Sequence, residues 1–235
     1  MRFIFIFFIL LCGIGCEALA RSQAPIKETV STPPVEKPIE AAPILVSWEK
    51  GHPERKVWTT FVSDLLKAQL LDTYDTAKDV KRICPSYETL SKEQRVLVWT
   101  EFISALAYHE STWDPTSRMV EKNLQGKKNP VDPITKKAVY SEGLLQLSYQ
   151  DIQWAPYCQF NWAKDKNLSG KDPSKTILNP IINLDCGMRI LANQIKNKGK
   201  VILSSGVYWA VIKDGGRYQQ IEKIISKVRQ TGLCG

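Results

Sequence analysis

Histidine is nearly absent from this chain of 235 residues: only His52 and His109 occur, which leaves no room for a His-rich metal cluster. A Walker A loop, a glycine-rich dinucleotide fingerprint, a CxxC pair and an HExxH helix are also missing, so those nucleotide, redox and zinc sites are excluded. No metal or organic cofactor is implied. Outside the N-terminus there is no long apolar run, which excludes a polytopic membrane protein. What is present suits a globular domain, since 43% hydrophobic content can build a sizeable core. Lys and Arg number 32 against 24 Asp and Glu, a net charge of +8 with a pI near 9.1. That balance favours an anionic partner: nucleic acid, an anionic cell wall or a membrane surface.

The N-terminus reads as an export signal over residues 1–20. Arg2 precedes an apolar run from Phe3 to Gly15, the length of a signal-peptide core and too short to span a bilayer comfortably. Cleavage falls either after Ala18-Leu19-Ala20 or before Cys16, where Gly13-Ile14-Gly15-Cys16 loosely resembles a lipobox that lacks its usual Leu. Either way the chain is expected outside the cytoplasm, periplasmic or secreted, soluble or lipid-anchored at Cys16. Residues 21–47 carry Pro25, Pro33, Pro34, Pro38 and Pro43 among polar residues, a composition that reads as a disordered tether. Residues 48–235 then form one domain.

Once the signal is gone, with Cys12 and with Cys16 removed or lipidated, Cys84, Cys158, Cys186 and Cys234 remain. In an oxidising compartment four cysteines read as two disulfides, with three connectivities open. Cys234 suggests a stapled C-terminal tail.

Apolar spacing is helical almost throughout. Trp58, Phe61, Leu65 and Leu66 begin a helix running to about Leu71. Ser91 and Gln94 form a capping box, followed by Val96, Trp99, Ile103 and Leu106 at steps of three and four. One further step of four reaches Glu110, and Asp114-Pro115 stops the helix. Ile181, Leu184, Met188, Leu191 and Ile195 make a second stripe, and Tyr218, Ile221, Ile225 and Val228 a third. A short helix is expected around Val207 to Ile212. Residues 118–141 hold a small hairpin or an irregular lobe. The fold class is therefore mainly α.

Glu110 stands out chemically. A carboxyl at the C-terminal end of a buried stripe loses water, and the negative helix terminus adds to the effect; both raise its pKa. A carboxyl protonated near neutral pH is what a general acid needs to protonate a glycosidic leaving oxygen. The plainer reading is a side chain that reaches solvent or pairs with a Lys.

Two linked motifs resemble a known family. Glu110-Ser111-Thr112-Trp113-Asp114-Pro115, followed by Ser141-Glu142-Gly143-Leu144-Leu145-Gln146-Leu147-Ser148, is similar to the signatures of soluble lytic transglycosylases and goose-type lysozymes. Asn183 to Leu191 resembles the family's next helix, and Gly206-Val207-Tyr208-Trp209-Ala210 stands where the family has Ala-Tyr-Asn-Ala-Gly. The resemblance covers roughly residues 95 to 215 and extends to lysozymes of predatory bacteria that act on deacetylated peptidoglycan. It implies a lysozyme-like helical domain with a cleft for peptidoglycan glycan strands, Glu110 as the essential acid and Tyr208 reaching toward that acid or the sugar at the cleavage point. Ser111, Trp113, Ser141, Gly143, Leu144, Gln146 and Trp209 would line the substrate.

The chain departs from the family pattern in three places. The link between Glu110 and Gly143 is long and carries Lys122, Lys127, Lys128, Lys136 and Lys137, either a solvated loop or a basic cleft wall. Trp209 replaces the Asn that follows the family tyrosine, which puts recognition of an N-acetyl group in doubt. Glu142 adds a carboxylate. Across the cleft at about 6.5–9.5 Å it would hold water for an inverting lysozyme; pointing away, it would leave Glu110 alone to make anhydro ends as a lytic transglycosylase. Asp132 and Asp151 are weaker candidates for that second carboxylate. An extra acid also favours a free amine, hence N-deacetylated glycan. Trp154, Tyr157, Phe160 and Trp162 offer either a sugar platform or core around Cys158. A silent wall-binding protein is the competing class, and a nucleic-acid binder is disfavoured by export and by the lack of a basic helix. With no spare heptad seam, a monomer is expected.

Overall fold

The computed structural model describes residues 44–122 and 129–235. The expected export signal, Cys12, Cys16, most of the tether, Lys127 and Lys128 lie outside these residues. The packed structure begins at the end of the expected tether. Val46 and Trp48 are buried, and the Ser47 amide donates to Glu101 Oε2 at 2.8 Å.

Helix α1, Lys56–Leu65, passes through a π-helical turn at Leu66–Leu70 into α2, Leu71–Tyr74, close to the helix expected there. Helix α3, Val80–Ile83, leads to Cys84. Helix α4, Lys92–Ser111, starts with the predicted capping box: Ser91 Oγ accepts from the Gln94 amide at 3.3 Å, and Gln94 Oε1 accepts from the Ser91 amide at 2.8 Å. Its stripe Val96, Trp99, Ile103 and Leu106 is buried, and so are Val98, Phe102 and Ala105 on its other sides. A helix apolar all round belongs at the centre of a fold. Helix α6, Pro180–Lys198, is capped by Asn179 Oδ1, which accepts from the Ile181 and Ile182 amides, with Pro180 preset for the first turn. It ends at Gly199, whose φ of +67° suits glycine. Short α5, Trp162–Asp165, precedes it, and α7, Ile221–Arg229, packs Ile221, Ile224, Ile225 and Val228 inward against α4.

Two expectations need correction here. Tyr218 is half exposed and precedes α7, because Gly215 and Gly216, both at positive φ, keep the chain irregular before it. Instead of a helix from Val207, only the 3-10 turn Ala210–Ile212 forms, entered from an extended Trp209.

Strands β1, Arg118–Val120, and β2, Tyr140–Glu142, pair antiparallel as the expected small hairpin. Arg118 lies opposite Glu142, Met119 opposite Ser141 and Val120 opposite Tyr140. Alternation puts Arg118, Tyr140 and Glu142 on one face of the hairpin and Ser141 on the other. Cys84 pairs with Cys234, stapling the tail, and Cys158 pairs with Cys186, tying the segment after the Gly143–Gln146 turn to α6. The described residues cluster as one compact unit. Among the described residues no helix is long and apolar enough to cross a membrane, and no cluster of three metal-ligating side chains forms.

Candidate active site

Glu110 is the penultimate residue of α4. The chain then reverses through Thr112 at φ +52° and Trp113 at φ +62°. Two consecutive non-glycine residues in the left-handed region cost on the order of 1–3 kcal/mol each and persist only where the surroundings hold them. Here the holder is Trp113, whose indole N–H donates to the Ser104 carbonyl at 2.8 Å while its ring packs on Tyr108 at 4.8 Å. Trp113 is therefore an anchor for the reversal beneath the acid. Ser111 Oγ is likewise turned inward, donating to the Ala107 carbonyl at 2.9 Å.

The Glu110 carboxyl makes no hydrogen bond to any described residue. Burial raises its pKa from 4.5 to about 7, and the charge of Glu121 pushes the same way. Glu121, just past β1, escapes sequence inspection because no motif contains it. The hairpin register places it beside Ser141, which donates its hydroxyl to Glu121 Oε1, and its amide bonds the Val139 carbonyl at 2.9 Å.

Tyr208 joins this cluster. Its hydroxyl donates to Asp151 Oδ2 at 2.5 Å, and its pKa is driven well up by burial and then by the charges of Asp151, Glu110 and Glu121. Asp151 Oδ2 also accepts from the Ser148 amide at 2.8 Å, and burial raises its own pKa. Trp154, half exposed, tilts against the Tyr208 ring with centroids 5.9 Å apart. Glu110, Glu121, Tyr208, Asp151 and Trp154 thus form one acidic and aromatic patch. Glu110 lines neither the cavity beside Arg118 and Lys175 nor the one beside Phe61 and Arg189.

Glu142 does not belong to the patch. It is buried on the opposite face of the hairpin, bonded to the Lys175 ammonium and 3.3 Å from Arg118 Nε, and its charge is not among those acting on Glu110. An expected water-holding base is instead the centre of a buried ion cluster. Asp132 is committed to structure as well: Oδ1 takes the Ile134 and Thr135 amides, and Oδ2 takes Ser148 Oγ and the Gln150 amide.

The Gly143–Gln146 turn is built inward. Gly143 sits at φ +82°, and a Cβ there would stand 2.8 Å from Asn183 Cγ and 2.9 Å from the Ile177 carbonyl. Its smallness serves contact with Asn183 rather than approach of a sugar. Asn183 bonds the Glu142 and Ile177 carbonyls and the Leu145 amide, and Gly187 leaves space for Leu145, so the turn is docked onto α6. Leu144 is fully buried. Gln146, at φ +50°, spends its amide on the Gly143 and Ser117 carbonyls. Trp209 is buried, with its indole N–H on the Leu145 carbonyl at 2.8 Å. Phe160 is core beside Cys158, Tyr157 and Trp162 are partly buried against it, and Trp154 alone of these four aromatics is largely open. Lys122 and Lys136 are exposed on the surface, and Lys137 lies over Trp162.

No family model matches the chain, and no curated protein matches it. Solved structures of Bd0314 DslA do match. The wild-type form 2 is 24% identical with a TM-score of 0.62. Two Glu-to-Gln mutants, at positions 143 and 154 of that chain, match at 23% and 24% with TM-scores of 0.64 and 0.62. Each match covers 82% of this chain and 98% of the other. The likeness establishes the fold alone, that of a mainly helical domain with a small two-stranded sheet.

Proposed function

We propose that this chain is a glycoside hydrolase, a lysozyme, that cleaves the β-1,4 glycan backbone of bacterial peptidoglycan with Glu110 as general acid. The observation that carries the reading is the Glu110 carboxyl, free of hydrogen bonds to described residues and raised to about 7. Such a group holds a proton to give a leaving oxygen at the pH where cells live. In this reading Glu121 replaces Glu142 as the second carboxylate, polarising an attacking water on the far side of the sugar. The spacing supports it: the glutamates replaced in the two DslA mutants are eleven positions apart, as are Glu110 and Glu121. Tyr208 and Asp151 position the sugar, and Trp154 offers it a flat face.

The same patch bears on substrate choice. Glu110, Glu121 and Asp151 surround Tyr208, and the buried Trp209 indole has no amide to offer an acetyl group, so a glucosamine ammonium is favoured over N-acetylglucosamine. The chain acts on this reading as a monomer outside the cytoplasm, periplasmic or secreted, soluble or anchored at Cys16.

Mass spectrometry of fragments from native and N-deacetylated peptidoglycan tests the proposal. Reducing, hydrated ends, released faster from deacetylated wall, are expected. Anhydro ends would make the chain a lytic transglycosylase in which Glu110 acts alone. Absence of cleavage of either wall would leave a silent wall-binding protein.

A further inference from the structure

The reverse face of the hairpin, away from Glu121 and Ser141, opens onto a cavity of about 310 Å³ that the glycan reading does not use. This is the size of a small-molecule site. We propose that the cavity binds a singly charged carboxylate carried on an apolar body, the C-terminus of a short peptide.

Arg118 supplies the recognition. Its guanidinium carbon lies over Tyr140, 3.2 Å from the ring centroid, a cation–π contact that holds the head group at the cavity wall. Its buried Nε forms an ion pair with Glu142 Oε2 at 3.3 Å but makes no hydrogen bond, and its terminal nitrogens have no hydrogen-bond partner among the described residues. Gly170 stands beside the guanidinium fork: a Cβ there would come within 3.2 Å of Nη1. The glycine leaves the donors room. Below lies Lys175, itself buried, which gives one N–H to Glu142 and one to the Gly170 carbonyl at 3.3 Å and so retains a third.

Charge selects the ligand. Arg118, Lys137 and Lys175 line the cavity with three positive charges, against two negative ones from Glu142 and Asp132. Asp132 is saturated by four N–H and O–H donors, and Glu142 is engaged by buried Lys175 and partly buried Arg118, so neither recruits a ligand cation. One positive charge is left over, which matches a carboxylate rather than a doubly charged phosphate. A planar fork also fits a planar carboxylate in two-point contact. Tyr149 and Trp162 form walls against which an apolar side chain can lie. The Lys137 ammonium stands 5.1 Å over Trp162 on an exposed side chain, a mobile charge at the rim.

The test is a nuclear magnetic resonance titration of the full chain, purified after export, with acetyl-alanyl-alanine, its C-terminal amide and inorganic phosphate. The free acid should shift the Gly170 amide and the Trp162 indole N–H saturably, and bind about tenfold or more tightly than either comparator, the scale of a charge-assisted contact. Arg118→Lys, which keeps the charge and loses the fork, should abolish that preference for the acid. Lys137→Gln, on the exposed rim where folding is not at stake, should weaken the acid severalfold and leave the amide unchanged. Equal binding of acid and amide would overturn the proposal, as would tighter binding of phosphate or shifts confined to the Trp154 region. An absence of saturable shifts with all three probes would also overturn it. None of these readouts depends on wall cleavage, so the glycan reading and this one fail separately.

Discussion

Tyr208 donates its hydroxyl to Asp151 Oδ2 at 2.5 Å while Glu110 and Glu121 both act on the same phenol. A tyrosine so placed stays protonated and works as a fixed donor, never as a base. Tyr208→Phe removes one charge-assisted hydrogen bond, on the order of 1.5–3 kcal/mol, so wall cleavage should fall about 10- to 100-fold. Kinetics of fragment release measure it, and an unchanged rate would remove Tyr208 from the site.

Burial of Glu110 also has a stability consequence. Its folded pKa, about 7, exceeds the ordinary 4.5, so between these values the folded chain holds a proton that the unfolded chain has lost. Stability contributed by this group therefore declines as pH rises from about 4.5 through about 7. Glu110→Gln should melt higher than wild type at pH 8 by the equivalent of about 1–3 kcal/mol and show little difference at pH 4. Melting curves at the two pH values decide it; a variant less stable at pH 8 contradicts the assignment.

Glu121→Gln separates two effects. Its charge is the lesser cause of the raised Glu110 pKa, after burial, so neutralising it should move the alkaline limb of activity to lower pH only modestly. If Glu121 also polarises the water, the maximal rate falls about 100-fold or more. A shifted limb with full activity would leave Glu121 an electrostatic neighbour.

Glu142 was the residue most easily misread. It adjoins the Gly143–Gln146 turn in sequence, yet strand alternation turns it away from Ser141 and into the ion cluster with Lys175 and Arg118. Adjacency within a motif says nothing about which face of a strand a side chain takes. Glu142→Ala should cost about 3–5 kcal/mol of stability by leaving the buried Lys175 ammonium unpaired, measurable by urea unfolding. Loss of activity in the cold, with stability intact, would restore it as a catalytic group.

Other parts of the fold were plain in the sequence for physical reasons. The steps Val96, Trp99, Ile103 and Leu106 and the Ser91–Gln94 box define α4 because helix period and cap chemistry are local. The four cysteines announced two bridges, but which partners met depended on the packing of distant segments. Glu121 was invisible for the same reason, since only the pairing of β1 with β2 sets it beside Ser141 and near Glu110. The turn residues Gly143, Leu144 and Gln146 and the nearby Trp209 misled differently. Side chains that shape a site from beneath share a motif with those that face it, and only burial tells them apart.

Acid catalysis by Glu110 requires a carboxyl that keeps its proton near neutral pH, and its titration can be followed directly. With side-chain carboxyls labelled with carbon-13, the signal lost in Glu110→Gln identifies Glu110, and its shift is then recorded against pH in the wild type. A midpoint near 7, and one that falls when Glu121 is neutralised, is the predicted result. A midpoint near 4.5 would mean that Glu110 is ionised at neutral pH, and the general-acid mechanism would be contradicted.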